Sequence, residues 1–254
     1  GGMSAERCLM LDRRDLLRAL AAATPSVLGT GAVGRALAQD AAEAQFIATH
    51  VCRLMPDTTE GPFYFDPRLL RSDIREDRPG HPLAMRLQVV DAACRPIEGA
   101  RVDVWHCDAQ GNYSGYPGQA EGDLSGLTFL RGSQMTNQAG RVAFRTIWPG
   151  WYRGRTAHVH FKVLLDRHGL VTGQMFFPDR FSRAVFRQLP AYARGSTRGQ
   201  IFNDRDGIAR RAGEGAFAQV TQVQGGFEAA LVIGVARTRA EGLLPGTGAP
   251  TRRG

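Results

Sequence analysis

The stretch AHVHFKVLLDRHGLVTGQMFFP, residues 157–178, decides the fold class of this chain. Its first half, 157–166, alternates polar and apolar side chains with the period of two that is typical of a half-buried β-strand. A second strand-like run, 169–178, follows after the short segment RHG, which is typical of a turn. We therefore expect these two runs to pair with each other in a sheet.

Strand-like runs of the same kind occur on both sides of this pair, separated by turns rich in Gly and Pro. The best internal helix candidate is 180–192. Short strands with few helical patterns predict an all-β fold, a β-sandwich of two mixed or antiparallel sheets with short helices and long active-site loops. The further predicted strands are 85–91, 100–108, 129–136, 141–148, 217–223 and 227–235.

The two ends of the chain are expected to lie outside this sandwich. In residues 1–38, the pair Arg13–Arg14 precedes a weakly apolar run that ends in ALA, the pattern of a twin-arginine export signal. This pattern predicts a periplasmic or secreted protein, and an ordinary amphipathic helix is the alternative. The run contains arginine and glycines and makes a poor membrane span. Residues 39–236 are predicted to form the sandwich domain and 237–254, rich in Gly, Pro and Arg, a flexible tail.

The net charge of +8 comes almost entirely from arginine, because Lys162 is the only lysine. The arginines are scattered along the chain, and none of them forms a basic stretch with interleaved aromatic residues. This distribution argues against a nucleic-acid partner. It is compatible with small anionic ligands.

Three cysteines follow the predicted signal, and in an exported protein they suggest one disulfide and one spare thiol. Cys94 and Cys107 lie at opposite ends of a predicted strand and its preceding turn. At about 3.3 Å per strand residue, they are too far apart to bond. Cys52 is therefore one partner; its pairing with either of the others stays open, with a slight preference for Cys107.

Two histidines of the opening stretch, His158 and His160, share one face of their strand and can both reach one metal ion. Tyr152 precedes them by six residues, and Tyr113 follows another predicted strand. No Asp or Glu occurs between residues 124 and 165. A metal bound here would therefore have nitrogen and phenolate ligands.

Phenolate ligands favour ferric iron. The reference pKa of tyrosine is about 10, so its ionisation near neutral pH needs a strongly Lewis-acidic ion. Zinc prefers Cys, His and carboxylate, and the ferrous facial triad requires a carboxylate. A zinc or copper site made by the histidines alone is an alternative.

Four blocks of this sequence together resemble the intradiol ring-cleavage dioxygenases, the family of protocatechuate 3,4-dioxygenase and the catechol 1,2-dioxygenases. The blocks occur in the family's order and cover most of residues 50–180. They are TEGPFYFD (59–66), GARVDVWHCDAQGNYSGY (99–116), FLRGSQMTNQAGRVAFRTIWPGWYRGRTAHVHFKV (129–163) and GQMFFPD (173–179).

The resemblance implies one Fe(3+) per chain, with four ligands. Tyr113 would correspond to the tyrosinate that stays bound, and Tyr152 to the axial tyrosinate that substrate displaces. His158 and His160 would be the two imidazole ligands. Tyr116, three residues after Tyr113, is the alternative candidate for the tyrosinate that stays bound.

The resemblance also assigns residues around the substrate. Arg155 would steady negative charge on the activated substrate, and Gln174 would lie near the bound ring. The segment TEGPFY, with Thr59, Gly61 and Tyr64, would close over the substrate pocket. His106 has no matching role and is interpreted either as structural or as a support for the ligands.

The implied reaction cleaves a small aromatic diol with O₂ between its two hydroxyl-bearing carbons and yields a muconate-type dicarboxylic acid. The link from Tyr152 to His158 is shorter than in the two-chain protocatechuate enzymes. The chain also lacks the long helical dimerisation segment of catechol 1,2-dioxygenases, so its oligomeric state stays open. The alternative is a non-catalytic, exported, transthyretin-like binding module.

Overall fold

The computed structural model describes residues 53–66, 68–166 and 168–237. The predicted export signal, Cys52 and nearly all of the predicted tail lie outside these ranges. The described part contains eight strands and two α-helices, with single 3₁₀ turns at Pro190–Tyr192, Asn203–Arg205 and Glu214–Ala216. The elements are β1 (Pro82–Asp91), β2 (Arg101–Trp105), β3 (Arg131–Met135), β4 (Arg141–Ile147), β5 (His158–Leu165), β6 (His168–Phe176), α1 (Asp179–Gln188), α2 (Gly207–Ala212), β7 (Gln219–Val223) and β8 (Gly226–Val235).

The strands form two four-stranded sheets, with the orders β4-β1-β8-β7 and β3-β2-β5-β6. The pair β1–β8 is parallel, and the other named pairs are antiparallel. The predicted all-β sandwich is confirmed, and the predicted pairing of β5 with β6 is confirmed with it. By contrast, β1 and β2 follow each other in the chain but lie in different sheets, as do β3 and β4.

Apolar faces of both sheets make the core, and β5 shows how the alternation of the sequence builds it. Val159, Phe161 and Val163 are buried in the core. On β6, a side chain at Gly173 would place its Cβ 2.2 Å from the Phe161 ring, so this position needs glycine. Burial of a phenylalanine of this kind contributes about 1.5–3 kcal/mol.

The other face of β5 carries the two histidines. They lie near one end of the second sheet, where the loops after β2 and β4 meet. His160 lies opposite Trp105 of β2 and opposite Gln174 of β6. The Trp105 and His160 rings stack, with centroids 4.9 Å apart and an angle of 9° between their planes. The register therefore places the two histidines of β5 where both loops can reach them.

The helix α1 is shorter than the sequence pattern predicted. It ends at Gln188 and is followed by Leu189 in an extended conformation. Pro190 cannot continue the helix because it lacks an N–H, and it disfavours a helical conformation at Leu189. No helix in the described part of the chain has the length and the apolar character that a membrane span needs.

The preference for a disulfide at Cys107 is wrong. Cys107 is a free, buried thiol that lies two residues after the end of β2 and packs beside Trp105 and Tyr113. Cys94 takes part in a disulfide. The Cys107 side chain points into the interior, which the spacing of cysteines could not reveal.

Candidate metal centre

A turn built by Asp108 presents Tyr113 at the end of the second sheet. The Asp108 carboxylate accepts hydrogen bonds from the backbone N–H of Gln110 (2.9 Å) and of Asn112 (2.8 Å). Between them, Gly111 has a φ of +89°, which glycine adopts without strain. The turn directs the next residue, Tyr113, into the interior, where it is fully buried.

Tyr152 comes from the loop after β4, and this loop is fastened to the first one. Gly150 donates its N–H to the Asp108 carbonyl at 3.1 Å. A Cβ at Gly150 would lie 2.3 Å from that oxygen, so no other residue fits without a shift. The glycine of PGWY thus fixes the distance between the loops that carry the two tyrosines.

The structure brings the four predicted ligands into one cluster. His158 Nε2 lies 3.2 Å from the Tyr152 hydroxyl, 3.5 Å from the Tyr113 hydroxyl and 3.1 Å from His160 Nε2. Both histidines and Tyr113 are buried, and Tyr152 is partly buried. That these four side chains bind iron stays a prediction.

Hydrogen bonding settles the tautomer of His158. Its Nδ1 lies 2.7 Å from the Thr156 carbonyl, which can only accept, so Nδ1 carries the proton. The lone pair is therefore on Nε2, the atom that faces the cluster, as in a metal-binding histidine oriented by a backbone carbonyl. His160 Nδ1 is buried without a partner in the described part of the chain.

Burial keeps all four groups neutral when no cation is present. Desolvation lowers the pKa of His158 to about 3 and the pKa of His160 well below its usual value. Desolvation also raises the pKa of Tyr113 and of Tyr152, although the nearby Arg155 opposes the rise at Tyr152. The imidazole lone pairs are thus free for a metal, and the phenols ionise only beside a strong cation.

The chemistry of this donor set fits ferric iron. It offers two imidazole nitrogens and two phenol oxygens that become hard anionic ligands beside a trivalent ion. Within the described ranges, no group of three or more His, Cys, Asp or Glu side chains could hold a metal ion. The site therefore lacks the carboxylate or thiolate companions that zinc and ferrous sites use.

Arg155 sits beside Tyr152 and is held by three partners. Its Nη1 donates to the Tyr152 hydroxyl at 3.2 Å and its Nη2 to Gln174 Oε1 at 2.5 Å. Its Nε donates to Asp206 Oδ2 at 2.8 Å. The guanidinium is thereby fixed with one N–H group on the phenol oxygen.

Sequence reasoning missed Asp206, which is buried with 1% relative exposure. Besides Arg155, its Oδ2 accepts from the Thr156 N–H at 3.0 Å, and its Oδ1 caps α2 through Ile208 and Ala209. An Asp just before a short helical run is a capping signal. Nothing in that signal points to an arginine 51 residues earlier.

The segment 59–66 passes beside the cluster. The Thr59 carbonyl accepts from Gln174 Nε2 at 3.0 Å, and its hydroxyl accepts from the Gly61 N–H at 3.1 Å. A Cβ built at Gly61 would lie 3.6 Å from His160 Cε1. Thr59, Gly61 and Gln174 are thus neighbours of the candidate ligands.

Tyr64 and Tyr116 direct their hydroxyls away from the cluster. Tyr64 donates to Asp103 Oδ2 at 2.9 Å, and burial, then the Asp103 charge, raises its pKa. Its ring packs on Trp105 at 4.7 Å. Tyr116 donates to the Tyr64 carbonyl at 2.8 Å, so Tyr113 is the member of this pair that faces the histidines.

Arg131 is a second functional residue that the sequence did not reveal. It is buried without a carboxylate partner in the described part of the chain and donates to the Phe63 carbonyl at 2.6 Å and to the Ser114 carbonyl at 2.8 Å. Phe63 in turn stacks on Tyr113 at 4.5 Å. Arg131 therefore ties segment 59–66 to the loop that carries Tyr113.

His106 is structural, one of the two interpretations from the sequence. It is buried, with Nδ1 2.8 Å from the Cys107 carbonyl and Nε2 2.7 Å from the Thr146 hydroxyl. Desolvation lowers its pKa to about 4. It links the end of β2 to β4.

The fold and the cluster define a β-sandwich protein with two tyrosines and two histidines at one sheet end, and the chain is similar to known proteins. A family model described as dioxygenase matches residues 59–187. The catechol 1,2-dioxygenase of Acinetobacter baylyi is 28% identical over 156 residues, which cover 52% of this chain and 49% of that protein. The protocatechuate 3,4-dioxygenase beta chain of Burkholderia cepacia is 35% identical over 112 residues, covering 39% and 47%.

Solved structures agree. An intradiol ring-cleavage dioxygenase from Tetranychus urticae superposes with a TM-score of 0.66 and 32% identity, covering 73% of this chain and 95% of that chain. The chain therefore belongs to the intradiol ring-cleavage dioxygenase family. It spans about half the length of the curated relatives it matches.

Proposed function

We propose that this chain is an iron(III)-dependent intradiol dioxygenase. It would cleave a catechol-type ring between the two hydroxyl-bearing carbons and place both atoms of O₂ in a muconate-type dicarboxylic acid. The observation that carries the proposal is the convergence of Tyr113, Tyr152, His158 and His160 on one point. Named relatives with the same chemistry support it.

Ferric iron, when bound by these side chains, would supply a Lewis acid that keeps phenols ionised and activates a chelated catechol toward O₂. The two tyrosines then have different tasks because their surroundings differ. Tyr113 is fully buried, whereas Tyr152 is partly exposed and lines a cavity of about 460 Å³. Tyr152 Oη is therefore the atom placed to take a proton from an incoming phenol.

Arg155 supplies fixed positive charge at this point. Its Nη1 lies 3.2 Å from Tyr152 Oη, and Asp206 and Gln174 hold the guanidinium in that position. A charge that is already oriented stabilises developing negative charge without reorganisation. We assign Arg155 to the stabilisation of the substrate anion, and Gln174 to its orientation.

Thr59, Gly61 and Tyr64 would form the cover of the substrate pocket. Their segment is tied to the site by Gln174 at Thr59 and by Arg131 at Phe63. Since both bonds come from the second sheet, which also carries the histidines, the cover is held close over them and excludes water from them. Tyr64 contributes its ring and backbone, because its hydroxyl is engaged with Asp103.

A visible spectrum of iron-loaded protein tests the proposal. Tyrosinate bound to ferric iron gives a broad charge-transfer band, and catechol, protocatechuate and hydroxyquinol are then added in turn. A shift of the band reports chelation, and a dicarboxylic product reports turnover. Colourless iron-replete protein would support the non-catalytic module, and bound zinc or copper in metal analysis would support the histidine-only site.

We also propose export by the twin-arginine route, which places the protein in the periplasm or outside the cell. The Arg13–Arg14 pair and the disulfide-bonded Cys94 support this, since disulfides persist in oxidising compartments. Cell fractionation tests it, with Arg13→Lys/Arg14→Lys as the variant. Equal export of both proteins would contradict the proposal.

A further inference from the structure

Two neighbouring cavities have lining residues in common beside Tyr152. The first, of about 460 Å³, is lined by Tyr152 and Trp151 among others, and the second, of about 390 Å³, lies against α1 and residues 192–202. Trp151 and Arg194 line both. Small-molecule sites typically measure about 300–1,000 Å³, so the two cavities offer more room than a single benzenediol ring needs.

The linings of the two cavities carry positive charge without negative charge. They contain five arginines and no Asp or Glu. None of the five forms a salt bridge within the described ranges. The five are Arg153, Arg183, Arg187, Arg194 and Arg198. Guanidinium groups that form no ion pair and line two adjoining cavities favour an anionic occupant.

Aromatic rings hold two of these guanidinium groups in place. Arg183 lies over the Phe202 ring at 3.5 Å, and Arg194 lies over the Trp151 ring at 4.0 Å. Stacking fixes the orientation of the planar guanidinium, whose N–H groups can bind both oxygens of a carboxylate. Arg194 also has a buried Nε–H without an acceptor in the described part of the chain.

We propose that the second cavity binds the carboxylate of a substrate that carries this group on a side chain, while its diol ring lies at Tyr152. The inference rests on the proposed function and names its substrate class: catechols with a carboxylated side chain. The ring would enter the cavity at Tyr152, and the chain would pass Trp151 and Arg194 to reach Arg183 and Arg187. An unsubstituted catechol leaves this second cavity unused.

A matched pair of substrates tests the inference on the iron-loaded full chain. The pair is 3-(3,4-dihydroxyphenyl)propanoate and its methyl ester, which differ in charge and share the diol. We expect kcat/KM to be about tenfold or more higher for the acid, the size of effect expected from a charge-assisted hydrogen bond. In Arg183→Gln/Arg187→Gln, this acid-to-ester ratio should fall toward one.

The control is Arg210→Gln, an exposed arginine on α2 that lines neither cavity. It should keep the acid-to-ester ratio. Turnover of both compounds with a ratio near one in the unaltered protein overturns the inference and leaves the proposed function intact. A double variant that keeps the full acid-to-ester ratio also overturns the inference and leaves the proposed function intact.

Calorimetry on iron-free protein decides the inference even if neither compound is turned over. The probes are 3-phenylpropanoate and 3-phenylpropanamide, which have no diol. Binding of the acid alone, weakened about tenfold or more in the double variant, supports the carboxylate site. Equal binding of acid and amide, or none, overturns it.

Discussion

Phe161 and His160 are neighbours on β5, yet they face two different interiors. Phe161 enters the apolar core, where every contact stabilises the fold. His160 enters the polar pocket, where its Nε2 lies 3.1 Å from His158 Nε2 and its Nδ1 is buried without a partner among the described residues. Buried polar atoms without partners cost free energy. One face of the strand thus stabilises the fold, and the other holds buried imidazoles that cost free energy and whose Nε2 atoms face the cluster.

The largest difference between the two faces should appear in His160→Ala. We expect this variant to lose its iron and its activity, because one of two nitrogen ligands is gone. In the iron-free form its free energy of unfolding should change less than in a core variant. Metal analysis and denaturant unfolding measure the two effects. Full iron content in the variant would contradict the ligand assignment.

Phe161→Ala should show the reverse behaviour. We expect its free energy of unfolding to fall by about 3–5 kcal/mol, because a buried ring is removed and Gly173 cannot fill the space. The folded fraction should still bind iron. Val223→Ala is the control on the exposed edge of β7 and should change stability by less than about 0.5 kcal/mol. Equal losses in both variants would refute this view of the core.

Asp206→Asn tests whether the pocket depends on groups beyond the four ligands. Asn caps a helix about as well as Asp, so the cap on α2 should be kept. The loss of charge should loosen Arg155 and lower kcat about 10- to 100-fold, with iron retained. Asp91→Asn, a buried carboxylate paired with Arg95 away from the site, should keep kcat. An unchanged kcat in Asp206→Asn would show that Arg155 needs no such support.

The remaining comparison concerns the pH dependence of stability in the iron-free protein. The folded pKa of His106, about 4, lies below its unfolded value of about 6.5. The unfolded chain therefore takes up a proton first as the pH falls. Stability is present above pH 6.5 and is lost toward pH 4, by up to about 1.4 kcal/mol per pH unit from this group.

His106→Asn should make this slope shallower by about one proton, because asparagine does not titrate. Denaturant unfolding between pH 7 and pH 4.5 gives the slope for both proteins. The shared background of other titrating groups cancels in the comparison. Identical slopes would mean that His106 is protonated in the folded state, against its burial.

The parts of the molecule that follow local rules were predictable. The alternation of 157–166 and the turn after it gave the pairing of β5 and β6, because a short turn leaves neighbouring strands little choice. The position of Pro190 in the sequence could also have predicted the end of α1. The crossing of the chain from one sheet to the other after β1 and after β3 could not be predicted, because it depends on which surfaces the whole sandwich buries.

The candidate site also has residues that the sequence predicted and residues that it did not. Residue type and strand face identified the two histidines and two tyrosines, and the resemblance supplied their proposed roles. Asp206 and Arg131 were invisible because their partners are distant in sequence and close only after folding. Cys107 was misjudged because cysteine spacing says nothing about the direction of a side chain.

By itself, the sequence determined the strands, the faces of their side chains and the kinds of donor atoms, because a period of two is a property of the local backbone. Only the tertiary structure decided that donor atoms from two loops and one strand come within 3.1–3.5 Å of His158 Nε2. It also decided which buried charge orients Arg155. Such distances depend on packing between segments far apart in the chain, which no local pattern encodes.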